Sequence, residues 1–343
     1  MRLIGFAALI WSIWATIALA YEIEDHVIYP AEVETSILRI ISTADRDAFE
    51  PVILAFQQAN PGITVDYTIT GTTDLMQAIE TDGASFDLAI SSAMDLQTKL
   101  ANDGFARNYA SPRLDGLPDW ASWRDQLFAF TQEPAVLVLS RADFPDGSEP
   151  QTREDLIAIL RENPETFQGR VGTYDVRSSG FGYLMATQDS RNGEAFWRLM
   201  EVMGRLDAQL YRSSGDMIRD VASGKLALAY NVLGSYASAQ AGVGEDFRIV
   251  VFEDYVNVML RTALIPVTAE NPGDAERFVD FLLGLPSRPE VVGASGLPAI
   301  DTETLDTNSA LRPIRFGPGL MVFLDQLRRK NFLKSWENSL VQN

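Results

Sequence analysis

The chain has 343 residues, of which 46% are hydrophobic and 22% charged. That is ordinary globular composition, which excludes disordered, collagenous and low-complexity classes and favours two lobes over one core. Net charge is −19, so a nucleic-acid partner, which demands a basic footprint, is excluded. With no cysteine and a single histidine, thiol chemistry and most histidine-dependent catalysis are excluded as well.

Arg2 precedes an apolar run from Leu3 to Leu19 that closes on Ala18-Leu19-Ala20. A basic start, an apolar stretch and a small-residue exit predict a signal peptide over 1–20, cut before Tyr21. The alternative is a membrane anchor, although the run barely spans a bilayer. No cysteine stands at the cleavage site to carry a lipid, so the expected address is the periplasm, without a lipid anchor.

Residues 21–36 are acidic and turn-rich, and read as a tether or edge segment. A strand follows at Leu38–Ile41, then a helix with Phe49, Val52, Ile53 and Phe56 on one face, which Asn60-Pro61-Gly62 stops. Pro51 fits only near the start of that helix. Ile63, Val65, Tyr67 and Ile69 alternate as a strand; a helix over Asp74–Glu80 and a strand over Phe86–Ile90 complete a β-α-β-α-β order. Such an order predicts a parallel sheet with right-handed crossovers.

The strands run out into Ser42-Thr43, Thr70-Gly71-Thr72-Thr73 and Ser91-Ser92. Ligands of open parallel sheets sit beyond these carboxyl ends, where helix N-termini present free N–H groups. Each hydroxyl alone could simply cap the next helix; the three together point to a polar pocket.

The pattern repeats downstream. Arg170–Tyr174 runs into Asp175-Val176-Arg177-Ser178-Ser179-Gly180, Gln209–Tyr211 into Ser213-Ser214-Gly215, and Leu226–Tyr230 into Asn231. Between the halves, Thr131–Ser140 and Val256–Pro266 are long and extended. They read as two passages between lobes or as long strands within one sheet, and periodicity does not separate these. A helix near Ala275–Leu283 and a closing helix over Gly317–Ser339, with Leu320, Phe323, Leu324 and Leu327 on one face, end the chain.

His26 lies in the acidic segment, and no nucleophile elbow, phosphate-binding loop or dinucleotide fingerprint is present. Asp45-Arg46-Asp47 starts like a calcium loop but lacks its third ligand and its glycine. Binding without catalysis, and without a cofactor, is the expectation; a secreted enzyme is the outlying alternative.

Several segments resemble the periplasmic solute-binding proteins of ABC importers. They are Leu38 to Gly71 with its F-x-x-A-N-P-G-I helix end, Phe86 to Ser92, Glu133-Pro134-Ala135, Tyr230 to Tyr236, Leu264-Ile265-Pro266 and Gly296-Leu297-Pro298. The branch they resemble handles ferric iron, phosphonates and sugar phosphates, and includes phosphoglycerate-transport regulators encoded beside sensor kinases. The resemblance implies an α/β two-lobed clamshell of type II. Each lobe is then a mixed, mainly parallel sheet flanked by helices, with a two-strand hinge. Lobe 1 would hold 37–132 and 263–300, lobe 2 residues 133–262, and 301–343 would form a C-terminal helical segment.

Ferric-binding members of that branch use paired tyrosines, and Tyr230 and Tyr236 are the alternative metal ligands here. Tyr230 is followed by Asn231 and no histidine is at hand, so a hard cation wanting several anionic oxygens is poorly served. A small anionic organic solute, phosphorylated or carboxylated, fits better. Arg177, Ser178 and Ser179 would hold the anion, with Arg261 on the returning segment. Thr43, Asp45, Thr72, Thr73, Ser91 and Ser92 would answer from lobe 1, and Tyr230, Asn231 and Tyr236 would hold the remainder. Arg46 reads rather as a surface ion pair. A polyamine would instead call on Trp120 and Trp123. The expected partner of a monomeric receptor is an importer permease or the outer domain of a sensor histidine kinase.

Overall fold

A computed structural model describes residues 21–145, 147–240 and 246–341; the expected signal peptide over 1–20 lies outside them. The chain first builds β1 (Ile23–Tyr29), β2 (Ser36–Ser42), α1 (Arg46–Ala59), β3 (Ile63–Thr70), α2 (Thr72–Glu80), β4 (Leu88–Ser91), α3 (Met94–Asn102), β5 (Ser122–Trp123) and β6 (Leu127–Ala129). It continues with β7 (Glu133–Ser140), α4 (Arg153–Glu162), α5 (Pro164–Phe167), β8 (Val171–Tyr174), α6 (Gly180–Asn192) and α7 (Ala195–Arg205). Then come β9 (Gln209–Tyr211), α8 (Ser214–Ala222), β10 (Leu228–Leu233), α9 (Gly234–Gln240), β11 (Phe247–Val250) and β12 (Val256–Met259). The last elements are β13 (Thr262–Leu264), α10 (Pro272–Leu283), α11 (Pro289–Ser295), α12 (Thr302–Thr307), β14 (Leu311–Pro313) and α13 (Gln326–Leu340).

Two seven-stranded sheets result. The first runs β1-β3-β2-β4-β13-β6-β5, and the second β14-β12-β7-β10-β8-β9, with β11 also on β7. The parallel pairs β2/β3 and β2/β4 match the expected β-α-β order, as do β8/β9 and β8/β10 in the second sheet. Each sheet buries its own core. In the first, Phe49 stacks on Tyr67 at 5.4 Å and Phe56 meets Phe278 at 4.6 Å. In the second, Leu137, Leu139, Leu228 and Tyr230 pack against Phe196, Leu199 and Trp336. An aromatic truncated in either core costs about 3–5 kcal/mol.

The two extended segments are passages between sheets, not single long strands. Residues 130–132 separate β6 from β7, and Leu260-Arg261 separates β12 from β13. Fully buried Arg261 stands at this crossing and forms a bidentate pair with fully buried Glu133, at 2.9 and 3.0 Å. Thr131 Oγ1 donates to Glu133 at 2.9 Å and accepts the Arg261 N–H at 3.1 Å; Ser235 Oγ also donates to Glu133. One polar knot thus ties both passages and the start of α9. Burial alone would raise the Glu133 carboxyl, but Arg261 and the hydroxyls outweigh it and hold the group below its ordinary value.

Other elements differ from expectation for local reasons. Of the two readings of the acidic N-terminal segment, tether or edge segment, the edge one holds: β1 pairs antiparallel with β3 as an edge strand, mostly exposed and so without apolar alternation. α1 begins five residues before Pro51, which therefore occupies the second turn. β10 continues past Asn231, where a left-handed φ of 63° makes a bulge that asparagine tolerates. The closing helix is split into a 3₁₀ turn at Pro318–Leu324 and α13, because Asp325 caps α13 through the Arg328 N–H; Leu327 is consequently exposed. The C-terminal segment is not purely helical, since β14 joins β12 in the second sheet.

Removing Glu133 strands a buried guanidinium. Glu133→Ala should destabilise the protein by about 3–5 kcal/mol, read as a lowered urea midpoint at unchanged slope.

Candidate functional site

Parallel strands point their carboxyl ends, and the N-termini of the helices that follow, to one side of a sheet. Here those sides face each other. A cavity of about 70 Å³ lies between them, lined from the first sheet by Glu24, Thr43, Asp45, Thr70, Gly71, Thr72 and Ser92. From the second come Tyr174, Ser179, Phe181, Arg212, Ser213, Ser214, Gly215, Leu233 and Tyr236. The first turns of α1, α2, α6 and α8 begin among these residues. Among the described residues no side chain caps α1 or α2. Ser179 and Ser213 cap α6 and α8, accepting from the N–H groups of Gly182 and Asp216.

The walls touch at the cavity mouth. The Gly180 N–H donates to Thr72 Oγ1 at 2.8 Å, and Thr73 Oγ1 donates to the Ser178 carbonyl at 3.4 Å. The Asp45 N–H donates to the Tyr236 hydroxyl at 3.2 Å. Half-exposed Arg212 spans the gap from α8's leading loop to Glu22 and Asp74, each at 3.2 Å.

Thr43, Asp45, Thr72, Ser92, Ser179 and Tyr236 therefore stand where the sequence placed them, around one opening. Thr73 and Ser178 meet each other beside it. Ser91, buried, turns its hydroxyl to the Ala93 N–H. Arg177 is elsewhere: its fork is closed on Asp175 at 2.7 and 2.8 Å, and it faces Glu337 and the Trp336 ring. Arg261 is a hinge residue, lying behind Tyr236 with its carbon 5.8 Å from that ring.

Tyr230 and Asn231 belong to a sealed network. Buried Asp189 accepts from Tyr230 Oη at 2.8 Å, Asn231 Nδ2 at 2.7 Å and Asn257 Nδ2 at 2.7 Å. Arg153 donates to Tyr230 Oη at 2.8 Å. Burial pushes the Tyr230 phenol far up, despite Arg153, so it stays protonated. The alternative metal pair Tyr230 and Tyr236 is thus not assembled at the cavity.

The sequence reading missed Arg212 and Glu24. Arg212 heads Arg212-Ser213-Ser214-Gly215, the same tetrapeptide as Arg177-Ser178-Ser179-Gly180. Two residues upstream of Arg177 is Asp175, which captures it; two upstream of Arg212 is Leu210, which cannot. Burial, with Asp45 adding to it, raises the Glu24 carboxyl, and burial raises that of Asp45 against the pull of Arg261. Burial pushes the Tyr236 phenol up to about 12, leaving it a neutral hydrogen-bonding group.

Two α/β sheets tied by a hinge thus enclose a cavity of hydroxyls and helix starts. The chain belongs to the bacterial extracellular solute-binding proteins, whose family model matches residues 38–289. The substrate-binding protein of an ABC transporter from Agrobacterium tumefaciens is 33% identical, with a TM-score of 0.86 over 92% of this chain and 98% of that one. AfuA from Actinobacillus pleuropneumoniae, with fructose-6-phosphate bound, is 16% identical at a TM-score of 0.70, covering 90% and 99%. Iron-bound HitA from Pseudomonas aeruginosa is also 16% identical, at 0.67, covering 89% and 99%. The fold is the type II periplasmic-binding-protein clamshell. No curated protein sequence matches the chain.

Gly180 meets the opposite wall directly. A Cβ there would stand 2.8 Å from Thr72 Oγ1 and 2.9 Å from Leu96 Cδ1. Gly180→Ala should hold the lobes apart and cut solute affinity at least about tenfold, a loss of about 1.4 kcal/mol. Small-angle scattering should give a larger radius of gyration for this variant at an unchanged urea midpoint.

Proposed function

We propose that this protein is a periplasmic receptor for a small anionic organic solute, phosphorylated or carboxylated. The cleft closes on the solute and presents it to the permease of an ABC importer; a sensor kinase is the alternative reader. The observation that carries the reading is the convergence of helix N-termini from both sheets on one hydroxyl-lined cavity. The uncapped N–H groups of α1 and α2 and the dipoles of all four helices favour an anion, and Arg212 supplies the guanidinium at the rim. Glu24 and Asp45 are placed to accept hydrogen bonds from hydroxyls on the solute body. Bridging both walls, such a solute favours the closed form by its preference for that form. The leader over 1–20 would deliver a monomeric receptor to the periplasm, and among the described residues no helix is long and apolar enough to cross a membrane.

Ferric iron has weaker support. Tyr230 is committed to Arg153 and Asp189, and among the described residues no three histidine or acidic side chains are grouped to hold a metal.

Thermal-shift measurements with sugar phosphates, phosphoglycerates, phosphonates, di- and tricarboxylates and ferric salts test this directly, since a ligand of the native state raises the melting temperature by mass action. Arg212→Ala should weaken the anion about tenfold or more, a loss of about 1.4 kcal/mol, whereas Arg177→Ala should leave it unchanged. A shift with ferric salts alone would overturn the anion reading.

Raised carboxyls beside a bound anion also set a pH dependence. Each loses its negative charge at a higher pH than a free carboxyl, so protonation removes repulsion and anion binding takes up protons. Affinity for an anion whose own charge stays constant should therefore rise as the pH falls through the range, above that of a free carboxyl, in which Glu24 and Asp45 titrate, and Asp45→Asn should flatten the profile in titration calorimetry.

A further inference from the structure

α6 has 13 residues and touches a cavity at each end. Its start borders the solute cleft, and its last turn, with Gln188, Arg191 and Asn192, borders a second concavity, roughly 18 Å away at about 1.5 Å per residue. This second concavity has a volume of about 550 Å³. It lies on a seam: β14 and the 3₁₀ turn after it form one wall, α6 and Asn257 of β12 another, and Trp120, just before β5 of the first sheet, closes the side.

Its charge runs against that of the molecule. Arg191, Arg312 and Arg315 face it with a single carboxylate, Asp306. Among the described residues none of the three arginines forms an ion pair. Arg312 is steadied by donating to the Ser309 carbonyl. In a chain of net charge −19, three unneutralised guanidiniums around one hollow create a local positive potential, focused by the low-dielectric walls. The floor is rigid: Asn192 Nδ2 donates to Asn257 Oδ1 at 2.9 Å, and Asn257 is buried and bound to Asp189 at 2.7 Å. The sides are apolar, from Trp120, Ile314, Phe316 and Leu320. Guanidinium forks suit carboxylate, sulfonate or phosphate oxygens, and the aromatic wall suits a flat apolar body.

We propose that this concavity is a second ligand site, separate from the solute cleft, for a small organic anion with an aromatic body. The inference rests on this pocket alone and stands whatever the cleft binds.

The probe is 8-anilinonaphthalene-1-sulfonate, titrated by fluorescence against the protein. Enhancement should saturate at one equivalent, with inorganic phosphate, lacking the ring, competing only weakly. The Arg312→Glu, Arg315→Glu double variant should weaken the probe about tenfold or more, about 1.4 kcal/mol, at an unchanged melting temperature. Trp120→Leu should weaken it too. Arg212→Ala, which alters the cleft, should leave it unchanged. Equal probe binding by the double variant and the parent, or no saturable binding by the parent, overturns the proposal; probe binding lost in Arg212→Ala and kept in the double variant would assign the probe to the cleft and overturn it equally.

Discussion

The buried pair between Arg261 and Glu133 is the constraint on which the architecture turns. Each sheet has its own core, so either lobe has reason to fold; what fixes one against the other is the place where the chain passes between them. A charged pair withdrawn from water is not favourable for stability in itself. It holds because Thr131 and Ser235 donate to the remaining lone pairs of the same two Glu133 oxygens. The result is a directional joint, in which a bidentate geometry tolerates rotation about the passage less readily than apolar contacts would. Tyr236 follows Ser235 on α9, so the joint also sets where the cavity's aromatic wall stands.

In the proposed reading, the cavity lets a strongly acidic protein attract an anion. Backbone N–H groups carry partial positive charge without any basic residue, and helix starts from both lobes bring that charge to one spot. Among the described residues Arg212 adds the only guanidinium of the lining, and its partners Glu22 and Asp74 belong to the opposite wall. A single side chain therefore joins electrostatic attraction to closure. The hydroxyls of Thr72, Ser179 and Ser214 are occupied within the protein, which holds their oxygens in place.

Much of this was legible from the amino acids. Strand ends rich in serine and threonine are local signals, and parallel topology forces them to one side, so Thr43, Thr72, Ser92 and Ser179 could be gathered without coordinates. Three things resisted. β1 is an edge strand facing solvent, and without a buried face it has no apolar alternation to read. Arg177 and Arg212 begin identical tetrapeptides after parallel strands, and only the acid two residues before the former diverts it. Tyr230 lies at a strand end, but its partners Arg153 and Asp189 come from helices some forty or more residues distant, which no spacing rule connects.

β1 also places the start of the described chain inside the working part of the molecule. Glu22 reaches Arg212, its carbonyl accepts from Thr70, and Glu24 forms part of the cavity wall. The residues just beyond position 20 are thus a jamb of the doorway, not a loose end. An affinity tag or reporter fused immediately ahead of Tyr21 would crowd that jamb, and a receptor labelled there would report a different grip from one labelled after Val341.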